Sequence, residues 1–286
     1  MSANAKRLAF LFVCLGLLIG VGYKASHRPA KVHTVAGPTK TYVALGDSVA
    51  AGVGLKDDTD SSACDRTNES YPAVVANKLN YLLTNLACSS AKLTEGVLSP
   101  QTVNQLALPA QLDALFALKQ PDLITITIGA NDADWLQIIG KCYTGICGSA
   151  ADTAEVNARL AVVSANLTTV LQKIKVHYGP HQPTVLVTGY YQVFPTTPST
   201  CADLAGIDAS ELVWGRQQQA AISKAVKDAI PSSTLFRYVD LDFSGHELCT
   251  SDSWIQSLGD KQVYHPTQTG QAEIAKQIVL EAKSNQ

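Results

Sequence analysis

Three short segments carry side chains able to act together on a carbonyl carbon. Gly46-Asp47-Ser48 puts a hydroxyl on a turn directly after the apolar run Tyr42-Val43-Ala44-Leu45. Gly129-Ala130-Asn131-Asp132 puts a carboxamide after a second apolar run, and His265-Pro266-Thr267 puts an imidazole ahead of a C-terminal helical pattern. A hydroxyl nucleophile, an amide donor and an imidazole base are the minimum set for acyl transfer through a tetrahedral oxyanion. Each segment alone has a plain structural reading. Ser48 could cap a helix. Gly, Asn and Asp serve turns for backbone reasons, and Pro near a helix start is ordinary capping chemistry. Their order along the chain, each behind a different element, is what joins them.

The other histidines carry less. His27 and His33 lie in a polar stretch, and His177 and His181 flank a helix end, where positive charge is welcome. His246, in Gly245-His246-Glu247, is the rival base. Asp47 is expected to hydrogen-bond the turn's own N–H groups, and Asp132 to brace the Asn131 loop. Tyr190, Tyr191 and Phe194 follow a strand pattern and are candidates for an acyl pocket or for packing, as are Trp135 and Trp254.

The elements that must position these groups alternate strand and helix. Strand-like runs fall at Thr41–Leu45, Leu82–Leu86, Leu123–Ile128, Thr184–Thr188 and Leu235–Leu241. Helical patterns fall at Tyr71–Tyr81, Leu106–Lys119, Thr153–Tyr178, Ala209–Ala229 and Thr269–Lys283. The longest has Asp152 as its expected cap, an apolar stripe from Val156 to Ile174 at helical spacing, and Gly179-Pro180 as its stop. Such alternation gives a mainly parallel five-stranded sheet covered on both faces, a flavodoxin-like three-layer α/β/α sandwich. Sites in these sheets form at the carboxyl ends of the strands, the edge that Ser48 and Asn131 would share.

The chain has 286 residues and a formal net charge of −2, with no basic stripe of the density a nucleic acid requires. Lys6-Arg7 precede an uncharged apolar run over residues 8–23, followed by Lys24. The run is short for a span of about 20 residues and reads as a secretory signal, or as a membrane anchor if it is not cleaved. The expected organisation is therefore a signal or anchor over 1–24, a Pro- and Gly-containing linker over 25–40, and one catalytic domain over 41–286. A monomer is expected. Behind the export segment stand six cysteines: Cys64, Cys88, Cys142, Cys147, Cys201 and Cys249. An even count in an exported chain reads as disulfides. Six allow 15 pairings, of which nearest-neighbour pairing is the simplest. Cys142 and Cys147 are spaced too widely for the usual zinc knuckle. Asp57-Asp58-Thr59-Asp60-Ser61-Ser62 reads as a solvated acidic loop.

In order and context the three segments, and nearly all of the chain after residue 40, resemble the SGNH/GDSL hydrolase family. The resemblance implies Ser48 as nucleophile, the Asn131 amide as an oxyanion donor and His265 as base. It assigns a further donor, a backbone N–H, to the stretch Asn85-Leu86-Ala87-Cys88-Ser89-Ser90-Ala91, where Ser90 stands in the place of the family's glycine. The cysteine pattern, with Cys249 upstream of Trp254, is similar to the secreted actinobacterial lipase and phospholipase branch. That likeness implies pairing in sequence order: Cys64–Cys88, Cys142–Cys147 and Cys201–Cys249. Two positions depart from the pattern. Ser90 keeps its N–H, but its Cβ predicts a turn without positive φ. The family's Asp three residues before the histidine is Gln262 here, and the nearest carboxylate is Asp260. The expected arrangement is a Ser48–His265 dyad whose Nδ1–H is held by a neutral acceptor, either a backbone carbonyl near Gln262 or the Gln262 side chain, with Asp260 as the lesser alternative. The implied reaction is hydrolysis of lipid, phospholipid or short-chain carboxylic esters outside the cytoplasm, with no cofactor or metal. The alternatives are O-deacetylation of a polysaccharide by the same chemistry, and an inactive domain that keeps the fold.

Overall fold

The computed structural model describes residues 39–56, 63–197 and 201–284. The expectations for the export segment, for most of the linker and for the acidic run 57–62 fall outside these residues.

Seven strands and seven α-helices follow one another in the described chain. They are β1 (Thr41–Gly46), α1 (Ser48–Ala51), α2 (Tyr71–Leu79), β2 (Leu82–Asn85), β3 (Gln101–Val103), β4 (Leu106–Leu108), α3 (Gln111–Phe116), β5 (Leu123–Thr127), α4 (Trp135–Thr144), α5 (Ala150–Tyr178), β6 (Thr184–Thr188), α6 (Ala209–Asp228), β7 (Phe236–Val239) and α7 (Gln268–Lys283). Five strands form one sheet in the order β2-β1-β5-β6-β7, every pair parallel. The β3–β4 pair is a separate antiparallel hairpin.

The sheet is buried on both faces because its strands present apolar side chains in both directions. Val43, Leu45, Ile124, Ile126, Val185 and Val187 pack against the α5 stripe Val163, Leu167, Val170, Leu171 and Ile174. Tyr42, Ala44 and Leu186 pack on the opposite face with Val75 of α2 and Ile274 and Ile278 of α7. The threonines of β5 lie fully buried, and their hydroxyls are satisfied there. Tyr42 Oη lies 2.7 Å from Thr125 Oγ1, Tyr71 Oη 2.7 Å from Thr127 Oγ1, and Thr127 Oγ1 2.7 Å from Thr188 Oγ1.

Two local expectations change, an open alternative at Ser48 closes, and one helix is added. The Leu106–Lys119 pattern divides into β4 and the short α3, because Pro109 interrupts it and Leu106–Leu108 pairs with Gln101–Val103. The cap of α5 is Ser149 rather than Asp152. Asp152 is the reciprocal partner in a capping box, with its carboxylate on the Ser149 N–H. Asp47, not Ser48, caps α1, which puts Ser48 at the first helical position. α4 had no expected counterpart. The disulfides are Cys64–Cys88, Cys142–Cys147 and Cys201–Cys249.

Strand order reverses at β1: β2 lies on one side of it and β5 on the other. Gly46, the last residue of β1, is in register with Thr127, the last of β5. The loops leaving these two strands therefore start side by side at the switch point where such sheets bind ligands.

Candidate active site

The turn after β1 is built to be tight. Gly46 has φ +145°, and a Cβ there would meet the Thr127 carbonyl oxygen at 2.3 Å, so the position requires glycine. The buried Gln111 side chain clamps it, accepting from Gly46 N–H at 2.8 Å and donating to Gly46 O at 2.9 Å. Asp47 Oδ1 accepts from Val49 N–H at 2.9 Å, which caps α1 and sets Ser48 half-buried at the helix start.

His265 arrives from the other end of the chain. Its Nε2 lies 2.7 Å from Ser48 Oγ, and its Nδ1 lies 3.0 Å from the carbonyl oxygen of Val263. A carbonyl only accepts, so Nδ1 carries the hydrogen and Nε2 is left as acceptor for the Ser48 hydroxyl. Burial pushes the imidazole below its ordinary value near 6.5, and the bond to Val263 offsets part of that shift. The histidine loop is pinned at several points. Gln256 N–H donates to His265 O at 2.8 Å, Tyr191 O–H donates to Tyr264 O at 2.9 Å, and the Thr267 hydroxyl caps α7.

The remaining candidates divide clearly. Asp260 is exposed, and its carboxylate accepts from Ser257 N–H at 2.7 Å and Ser257 O–H at 3.1 Å, away from the imidazole. Gln262 lies at the pocket rim, where its backbone carbonyl accepts from His265 N–H at 3.3 Å. His246 stacks on Trp254, and its Nδ1 is 2.8 Å from Asp252 O, away from Ser48.

Ser48, Ser90 and Asn131 all line one cavity with His265. The backbone N–H groups of Ser48 and Ser90 have no acceptor among the described residues. Asn131 Nδ2 donates one hydrogen to Ala91 O at 2.9 Å, leaving the second for a ligand. Ser90 corrects an expectation: its φ is +62°, so it occupies the left-handed region despite its Cβ. The loop is held in that state from its far side, where both carboxylate oxygens of Asp132 accept from Leu93 N–H at 3.0 Å. Asp132 thus ties the Asn131 loop to the Ser90 loop.

The cavity holds about 130 Å³. Trp135, Leu136, Val193, Ile222, Tyr191 and Tyr264 supply its apolar wall. Phe194 and Trp254 lie outside it, packed against Tyr264 and Phe243 respectively. Gln219 and Ile222 of α6 line it without any motif to mark them. Their only signal is the one-turn spacing that puts both on a buried helix face. Gln219 is already engaged: Oε1 accepts from Val193 N–H at 2.9 Å, and Nε2 donates to Tyr191 O.

The chain is similar to known proteins in sequence and in fold. Residues 44–273 match the model of the GDSL-like lipase/acylhydrolase family. A lipase of Streptomyces rimosus is 30% identical over 246 residues, covering 81% of this chain and 82% of that one. The structure of the extracellular lipase from Streptomyces rimosus superposes with a TM-score of 0.67 at 28% identity, over 86% of this chain and 100% of that chain. Phospholipase A1 from Streptomyces albidoflavus NA297 superposes with a TM-score of 0.66 at 27% identity, over 86% of this chain and 99% of that chain.

Proposed function

The chain belongs to the GDSL-like lipase/acylhydrolase family and is a carboxylic ester hydrolase, and we propose that it cleaves lipid, phospholipid or short-chain acyl esters outside the cytoplasm through an acyl-enzyme on Ser48. The observation that carries this reading is the 2.7 Å contact between Ser48 Oγ and His265 Nε2, with unengaged N–H donors beside it.

In this reading Ser48 Oγ attacks the ester carbonyl carbon while His265 Nε2 takes its proton. The negative oxygen is received by the N–H groups of Ser48 and Ser90 and by the free amide hydrogen of Asn131. Each such donor is worth about 2.7–4 kcal/mol of barrier. Collapse expels the alcohol, protonated by His265, and leaves the acyl group on Ser48. Water, deprotonated by His265, then releases the acid. The dyad has no carboxylate; the Val263 carbonyl fixes the tautomer and the ring. A neutral resting imidazole suits the task, because a base already charged cannot take the proton.

The pocket supports acyl esters over acetylated glycans. A cavity of about 130 Å³ is close in size to one that takes up benzene, at about 150 Å³. That is more room than an acetyl group needs. Part of its wall is apolar, from Trp135, Leu136, Val193 and Ile222, and the Gln219 amide is turned to the protein's own backbone. The three disulfides support an oxidising location beyond the cytoplasm. A fluorophosphonate probe tests the mechanism: labelling of Ser48, lost in Ser48→Ala, is the expected result. A p-nitrophenyl ester series beside an acetylated xylan tests the substrate class. Turnover of the glycan alone would replace this reading with a deacetylase.

A further inference from the structure

Tyr190 takes no part in the steps above, yet its hydroxyl joins the two loops that supply them. It lies two residues beyond β6, with its ring buried. The hydroxyl accepts from Ala130 N–H at 3.1 Å and donates to Asp47 Oδ2 at 2.5 Å. The other oxygen of Asp47 is occupied by Val49 N–H. The main chain of Tyr190 is itself fixed to α6: its N–H donates to Ser223 Oγ at 3.0 Å, and the Ser223 hydroxyl donates to its carbonyl at 3.0 Å. One phenol, anchored from behind, thus connects the residue before Ser48 to the residue before Asn131.

That placement bears on the oxyanion. Asn131 owes its aim to the backbone of residues 129–131, a turn leaving β5 that closes through Trp135 N–H to Ala130 O at 3.0 Å. The Tyr190 hydroxyl holds the N–H of the same residue, on the peptide that precedes it. Without it, the part-buried Ala130 N–H and the buried Asp47 Oδ2 both lose partners, and the two loops are free to move apart. We propose that Tyr190 is a positioning residue for the reaction: its hydroxyl, bridging Ala130 N–H and the Asp47 carboxylate, sets the spacing between Ser48 and the Asn131 donor that the tetrahedral oxyanion requires. This rests on the reading of Ser48 as nucleophile. The ring also lines the pocket, but phenylalanine retains the ring, so removal of the hydroxyl separates positioning from packing.

The test uses the full-length, oxidised protein with p-nitrophenyl butyrate. Tyr190→Phe lowers kcat by about 100-fold, the scale of a small misplacement of catalytic groups, and leaves KM within about twofold. In an Asn131→Ala background the same substitution costs less than about twofold more, because the donor it positions is gone. Unchanged kcat, a KM that rises in step, or an undiminished loss in the Asn131→Ala background each overturns the proposal. If Tyr190→Phe does not fold, Asp47→Asn gives the same reading from the other end of the bridge: lower kcat, and no additivity with Asn131→Ala. Fluorophosphonate labelling of the parent protein separates the two levels. A parent that fails to label overturns the nucleophile assignment. A parent that labels, beside a Tyr190→Phe variant of equal kcat, overturns the positioning role alone.

Discussion

Ser48 and His265 are separated by 217 positions, and the proposed chemistry asks that an imidazole without a carboxylate be a sufficient base. His265→Ala should lower kcat by about 10⁴-fold or more in initial-rate assays. Asp260→Asn should stay within about threefold of the parent, against about 10⁴-fold where a carboxylate orients the imidazole. The reason is that Asp260 is occupied by Ser257, while Val263 O serves Nδ1. Burial holds the imidazole down, so the acid limb of kcat/KM should have its midpoint below pH 6.5, with activity rising as pH rises through it. A limb centred above 6.5 would mean that a negative partner raises the base. Ser90 makes a separate prediction. A left-handed conformation costs a residue with a Cβ about 1–2 kcal/mol, and glycine gives part of that back as unfolded-state entropy. Ser90→Gly should therefore raise the unfolding free energy by about 0.5–1 kcal/mol in urea titrations, with the N–H still in place.

At the scale of elements, the sheet and its covering helices were legible because their signals are local and repeated. The alternating strand of Leu123–Thr127 and the stripe from Val156 to Ile174 each announce a buried surface in a handful of residues. Ser48, Asn131 and His265 were legible as candidates because each stands in a short motif beside such an element. What the sequence hid depends on long-range packing. The positive φ of Ser90 is imposed by a loop tied through Asp132 to Leu93, and nothing in Ser89-Ser90-Ala91 announces it. Gln262 in place of a carboxylate points to a neutral acceptor for His265, but which main-chain carbonyl serves is hidden, because every residue type carries one. β4 is hard to see in the sequence because Leu106-Ala107-Leu108 suits either period, and only Pro109 marks the break. The disulfides tie loops of different length, and this gives an element-scale prediction. Cys201–Cys249 spans 48 positions and Cys142–Cys147 only 5. By unfolded-chain entropy they stabilise by about 4 and about 2 kcal/mol respectively. Paired Cys→Ala variants should differ by about 2 kcal/mol in denaturant unfolding, the longer loop being the costlier to open. Equal losses would show that native-state packing, not loop entropy, sets their worth.

For the molecule as a whole, the site places two titratable groups with opposed effects at the centre of the fold, and their linkage to folding can be read in one experiment. Burial pushes the Asp47 carboxyl up to about 7, with the hydrogen bond from Tyr190 pulling against it. In the unfolded chain the same group titrates near 3.8. Between these two values the folded protein holds a proton that the unfolded chain has released, so stability falls as pH rises from about 4 to about 7 and is level above that. His265 acts in the other direction. Its folded value lies below 6.5, so just below that pH the unfolded chain binds the proton more readily, and stability rises with pH until about 6.5. The two slopes oppose each other in acid, while between about 6.5 and 7 Asp47 acts alone. In the oxidised parent protein Tm should therefore decline as pH passes from about 6.5 to about 7.5. In Asp47→Asn that decline should vanish, leaving the rise below 6.5 due to His265. In His265→Ala the rise should vanish, and the fall should steepen from about pH 4 upward. Thermal melts of the three proteins across pH 4–8 separate these outcomes, whatever each substitution does to stability at a single pH. A decline that survives Asp47→Asn would mean that the buried carboxyl beside Ser48 is ionised throughout this range, so that the folded core carries its full charge.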